Sequence, residues 1–198
     1  MPQSTAAMTE KPLSVLYSIA EHYYHDAFDF AARFDVLWKI ETHKTGQIKA
    51  FVDLLMACEC ALKSHAILGN FDADPKQVYC DIRKAGHSIE RLADLACFLS
   101  DRSNYDFLKE RLQPFSVIIR YSLEAYDTFF PAFVEWDNAE IHYSGTIGNT
   151  QWCFAVRKCL QSLLESLTDK FSGLATPDIG AIFEHERQMK EFIEAIKK

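Results

Sequence analysis

Glycine and proline are scarce, with seven and six among 198 residues. So few chain breakers exclude a turn-rich β-architecture and favour long helices. Positive charge is in deficit: 21 Lys and Arg face 28 Asp and Glu, for a net charge of −7. That balance argues against coating nucleic acid by bulk electrostatics, while leaving room for a local basic patch. No apolar run approaches the roughly 20 residues that a membrane-spanning helix needs, so no membrane contact is expected. The six cysteines (Cys58, Cys60, Cys80, Cys97, Cys153 and Cys159) include no C-x-x-C pair, and zinc-site spacing is absent. Residues 1–10 have neither the basic start nor the apolar core of a secretory signal. A reduced, cytoplasmic protein is expected, and no motif asks for a cofactor.

What is present reads as helix. Hydrophobic content of 48% and charged content of 25% are ordinary for a globular chain. The length predicts a single domain over 12–198 behind a flexible tail at 1–11. Leu13, Tyr17, Ala20, Tyr24, Ala27, Ala31, Phe34 and Trp38 recur in steps of four and three. That is the seam of a long helix, with small residues at its middle for close packing. Its other face carries His22, His25, Asp26, Asp29 and Arg33. Imidazole and carboxylate on one face are zinc or iron ligands, which would make His22, His25 and Asp29, with Asp26, the centre of a metal-dependent bundle enzyme. The same i, i+4 spacing equally makes a solvated face of ion pairs, and the Glu-x-x-His motif of bundle di-iron sites is absent.

A second helix is expected over 45–68, with Ile48, Phe51, Val52, Leu55, Cys58, Leu62 and Ala66 on one side. Glu59 falls inside that stripe, where a carboxylate is costly unless paired. Gly69 and Asn70 close the helix. Asp74 and Pro75 then supply an N-cap and first position for a short helix that ends before Gly86 and His87. Ile89, Leu92, Ala93, Ala96 and Leu99 predict the next helix, and a short one follows Ser103.

Beyond Pro114, the residues Phe115, Ile118, Ile119, Ser122, Tyr126 and Phe129 predict one helix stopped by Pro131, with Arg120 pairing to Glu124. The stretch 132–150 is irregular, the kind of long connection that often carries function. Within it, Gly145 to Gly148 has the spacing of a nucleic-acid-clamping G-x-x-G loop but lacks its basic residues, and reads equally as a turn. Trp152, Ala155, Val156, Cys159, Leu163 and Leu167 mark another long helix. A last amphipathic one after Pro177 is expected to bury Ile179, Ile182, Phe183, Met189, Ile193 and Ile196. The class is all-α: an up-and-down helical bundle of about five long helices plus short ones.

Three segments together carry a family resemblance: Ala57, Cys58, Glu59, Cys60, Ala61, Leu62, Lys63; then Gly86, His87, Ser88, Ile89, Glu90, Arg91, Leu92; then Arg120 and Tyr121. Over roughly 45–130 the chain resembles a HEPN (higher eukaryotes and prokaryotes nucleotide-binding) domain. The resemblance implies a helical bundle, frequent homodimerisation, and either a nucleotide-, RNA- or protein-binding module or a metal-independent ribonuclease of toxin and defence systems. Catalytic members share an arginine followed, after a short polar gap, by a histidine. The nearest match is Arg83 to His87, whose gap is shorter and straddles Gly86. A histidine there can move the 2′-hydroxyl proton, and an arginine can stabilise the phosphorane charge. Lys76, Lys84, Arg91 and Arg120 would contact phosphate. The plainer expectation is that His87 caps the following helix, that Arg83 and Lys84 offset the helix C-terminus, and that Glu59 pairs with Lys63. Glu59 is alternatively an orienter of His87.

Overall fold

The structure is a computed structural model describing residues 10–129 and 141–197. Its centre is a hairpin of two 26-residue helices, α1 (Val15–Ile40) and α2 (Lys44–Gly69), joined by three residues. Ser64 Oγ donates to the Ala20 carbonyl at 2.9 Å, and Arg33 reaches Asp53 at 3.1 Å, so the two run antiparallel. Ala20, Ala27, Ala31, Ala57 and Ala61 are buried along this hairpin, where small side chains let the backbones approach closely. Between Ile48 and Ile67, α2 is buried on nearly every side, as expected of a helix enclosed by others.

Around it run α3 (Pro75–Ala85), α4 (Ile89–Leu95), α5 (Ser103–Leu112) and α6 (Ser122–Phe129). The long α7 (Thr150–Phe171) and peripheral α8 (Ile179–Ile196) follow. α7 is antiparallel to α1, tied by the Asp35–Arg157 fork at 3.1 and 2.9 Å and by Tyr24 to Thr168 at 3.2 Å. One hydrophobic cluster runs from Leu16 through α2 and α7 to Phe192. Among the described residues there is no strand, only a single bridge between Glu10 and Leu174. No helix among them is long and apolar enough to cross a membrane. The all-α helical bundle is the fold of this chain.

Three details depart from the expected pattern. The helix anticipated from Phe115 to Phe129 is broken into a 3-10 turn, Val117–Arg120, and α6, with extended backbone at Tyr121. The break resets the register. Phe115, Ile119, Ala125 and Phe129 point inward, whereas Ile118 and Tyr126 are exposed. Arg120 consequently stacks on Tyr121 at 4.7 Å and donates to its hydroxyl at 2.7 Å, and does not pair with Glu124. Next, α8 buries only Phe192; Ile179, Ile182, Phe183 and Ile193 remain exposed. Its amphipathic pattern is real, but only one flank meets the bundle. Finally, most of the expected tail lies outside the described residues, and Lys11 is held by a hydrogen bond from its N–H to the Leu174 carbonyl at 2.8 Å.

Pro131 and residues 132–140 of the connection lie outside the described residues. At its end, a 3-10 turn at Tyr143–Gly145 precedes the fully buried Ile147. A Cβ on Gly148 would come within 2.7 Å of the Tyr143 ring. Residues 145–148, the expected turn, therefore pack against the body of the protein.

Candidate functional site

The site is built from α2 outward. Glu59 sits at the middle of α2 and is 1% exposed. Lys63, one turn on, donates to its Oε1 at 2.5 Å. The remaining oxygen, Oε2, takes a 2.8 Å hydrogen bond from Nδ1 of His87. Glu59 therefore contacts both residues suggested for it, each carboxylate oxygen with its own partner.

His87 is delivered by the α3–α4 junction. Asp74 caps α3, accepting from the Gln77 N–H at 2.9 Å, and Pro75 fills the first position. The helix ends at Gly86, with φ +60° and ψ −121°, a conformation that residues bearing a Cβ rarely adopt. That reversal turns His87 back toward α2. The expectation that His87 caps α4 is corrected: Ser88 does so, its Oγ accepting from the Arg91 N–H at 3.3 Å. An ionised carboxylate only accepts, so Nδ1 of His87 carries the proton. Its Nε2 has no partner among the described residues, and the side chain keeps 59% exposure. A neutral His87 thus presents a basic nitrogen to solvent, and a protonated one presents an N–H donor.

Tyr23 on α1 completes the cluster, with Lys63 Nζ at 5.3 Å from its ring centroid. Burial, then the neighbouring Tyr79, Cys60, Glu59 and Asp26, pushes the Tyr23 hydroxyl up to about 12. Burial, followed by the Glu59 charge, likewise raises the Cys60 thiol to about 12, which removes it as a nucleophile at neutral pH. Nothing in the sequence pattern singles out Tyr23.

The other candidate residues divide by position. Arg83, Lys84 and Arg91 are exposed at the same junction as His87. Lys84 reaches Asp81 at 3.3 Å, and Arg91 donates to the Lys84 carbonyl at 3.4 Å, holding the α3 C-terminus against α4. Arg83 makes no ion pair among the described residues. Lys76 lies at the opposite end of α3, about 12 Å along the axis from Lys84. Arg120 belongs to a separate element, preceded by Phe115, which packs on Phe51 in the N-terminal half of α2. His22, His25, Asp26 and Asp29 line α1, but among the described residues no three His, Cys, Asp or Glu side chains gather as a metal would require. Arg33, expected to pair with Asp29, instead crosses to Asp53.

Three buried polar groups are not among the residues expected from the sequence pattern. Two are Asp53 and Ser64. The third is His65, fully buried, with Nδ1 at 2.7 Å from the Tyr105 hydroxyl and Nε2 at 3.1 Å from the Leu163 carbonyl. A carbonyl can only accept, so Nε2 carries the proton and Nδ1 accepts from Tyr105. Tyr105 in turn accepts from the Leu99 N–H at 3.0 Å, closing a fully satisfied chain. The signal was available: a histidine set between Leu62 and Ala66 of the apolar stripe must find partners.

Comparison of the chain with protein-family models, curated proteins and solved structures finds no match. The site therefore rests on its own geometry.

Proposed function

We propose that the chain is a HEPN-like helical module that binds RNA or a nucleotide through its phosphate at the α3–α4 junction, acts as a homodimer, and is not strongly catalytic. The supporting observation is the Glu59–His87 hydrogen bond: a buried carboxylate orients an exposed imidazole beside Arg83, Lys84 and Arg91. Cations on one short surface suit phosphate, and the acidic remainder of the molecule limits binding to that patch. The test is fluorescence anisotropy with labelled single-stranded RNA and with a labelled nucleotide at low salt. Binding should weaken as salt rises, and Lys84→Ala with Arg91→Ala should lower affinity about tenfold or more. Absence of binding by the natural protein, or an unaffected double variant, would sink the proposal.

A second reading, endoribonuclease action by Arg83 and His87, draws on the same hydrogen bond. A fixed Nδ1–H leaves Nε2 as a general base or acid, and Arg83 would stabilise phosphorane charge. It requires RNA cleavage that disappears in a folded His87→Ala variant.

A further inference from the structure

α8 has two helical seams, and only one is used. His185, Met189, Phe192 and Ile196 form the first, turned toward the bundle, with the exposed Ile182 extending it. His185 Nε2 lies 2.8 Å from Ser18 Oγ on α1, and Phe192 packs edge-on against Tyr79 of α3 at 5.5 Å. The second seam runs beside it in steps of four, three, four, three and four: Ile179, Phe183, Glu186, Lys190, Ile193 and Lys197. All six are exposed, Ile179 and Phe183 at 67% and Ile193 at 42%. Four of them also wall an open groove of about 530 Å³ between α8 and α1.

The charges on this second seam behave unlike those beside it. On the adjacent face Arg187 is bound by Glu184 at 2.5 Å and by Glu191. Glu186 and Lys190 are also i, i+4, yet neither forms an ion pair among the described residues.

The order of the seam is self-complementary. Two helices packed antiparallel set each a position opposite a d position of the partner. With a two-fold axis level with Gln188, Glu186 faces Lys190 of the second copy, and Phe183 faces Ile193. Ile179 meets the aliphatic stem of Lys197, which can keep its ammonium in water. Every contact then joins opposite charges or apolar groups, and symmetry makes each occur twice. Arg187, which would approach its own copy at the edge, is already neutralised on its own helix. We infer that this face of α8 is a homodimer interface, in which a second copy of the chain packs its α8 antiparallel along Ile179 to Lys197. The inference rests on the homodimer part of the reading above and is independent of RNA.

A charge-swap series tests it, using light scattering and sedimentation equilibrium on the full chain without RNA. The natural protein should have twice the 22.7 kDa chain mass. Glu186→Lys and Lys190→Glu should each weaken the dimer about tenfold or more, because each sets like charges opposite one another twice. Combining them restores the pairing in reversed sense and should recover the dimer. Phe183→Ser, which carries no charge change, should weaken it as well, and circular dichroism melts establish that every variant is folded. A monomeric natural protein, folded single variants that dimerise normally, or a folded double variant that fails to recover would each overturn the interface. Because no RNA is present, failure of the RNA reading leaves these outcomes unchanged.

Discussion

Glu59 and His87 are 28 residues apart in sequence and 2.8 Å apart in space, joined through a carboxylate that solvent does not reach. The imidazole is therefore held from behind, while its other face stays open. This arrangement makes the interior of α2 part of the surface chemistry at the α3–α4 junction.

Replacing Glu59 should be costly for stability as well as for the site. Glu59→Gln leaves the Lys63 ammonium, only 12% exposed, without its counter-charge. Breaking a buried pair from one side costs about 3 kcal/mol or more, whereas removing both charges together costs far less. Urea unfolding should show a large loss for Glu59→Gln and recovery in Glu59→Leu with Lys63→Met. Equal losses in the two would mean that packing, not charge, holds this position.

The Gly86 turn should be sensitive for a backbone reason. A Cβ added there meets nothing nearer than the Arg83 carbonyl at 4.0 Å, so space is not the obstacle. The obstacle is φ +60°, ψ −121°. Gly86→Ala is expected to cost about 1–3 kcal/mol and to shift His87 away from Glu59. A thermal melt checks the first effect, and the Nδ1 chemical shift of His87 checks the second. An unchanged shift would show that the turn is not what places the imidazole.

Gly69 fails for the opposite reason. A Cβ at this position would lie 2.4 Å from Cys97 Sγ and 2.8 Å from the backbone at Cys97 and Phe98. Gly69→Ala should destabilise by about 1–3 kcal/mol, the scale of overpacking. Adding Cys97→Ala relieves only the sulfur contact, so chemical denaturation should show partial rescue. Complete rescue would place the whole clash on the thiol.

His65 makes stability depend on pH. Burial lowers its pKa from 6.5 to about 4, outweighing the Leu163 carbonyl hydrogen bond, which raises it. The unfolded chain then binds a proton more readily than the folded one between those values. The contribution is fully present above pH 6.5 and is lost progressively as pH falls toward 4, for a total of about 3 kcal/mol. Urea midpoints measured from pH 7 to 4 should fall, and His65→Gln should flatten that dependence. An equally steep decline in the variant would assign the effect to other groups.

The sequence disclosed the fold better than the site, and particular residues explain why. The α1 seam was readable because six of its eight positions are buried in one uninterrupted helix. The break at Tyr121 was not, since no glycine or proline marks it and the apolar spacing continues through it. α8 was misjudged because periodicity reports that a helix has an apolar face without saying what covers it. Glu59 stood out as a carboxylate in an apolar stripe, and both its suggested partners are its actual ones. Tyr23 and Asp53 acquire their roles only from neighbouring helices, which one-dimensional spacing does not contain.

The short link between α1 and α2 also bears on how the chain reaches this structure. Three residues separate helices that share the most extensive helix–helix contact among the described residues, so their pairing is local and needs little loop closure. α7 begins 81 residues after α2 ends (69 to 150) and must dock across both. Substitutions in the alanine-lined hairpin, such as Ala27→Gly, should therefore slow refolding. Those at the α7 contact, such as Arg157→Ala, should act mainly by hastening unfolding, a division that the two arms of a chevron plot would resolve.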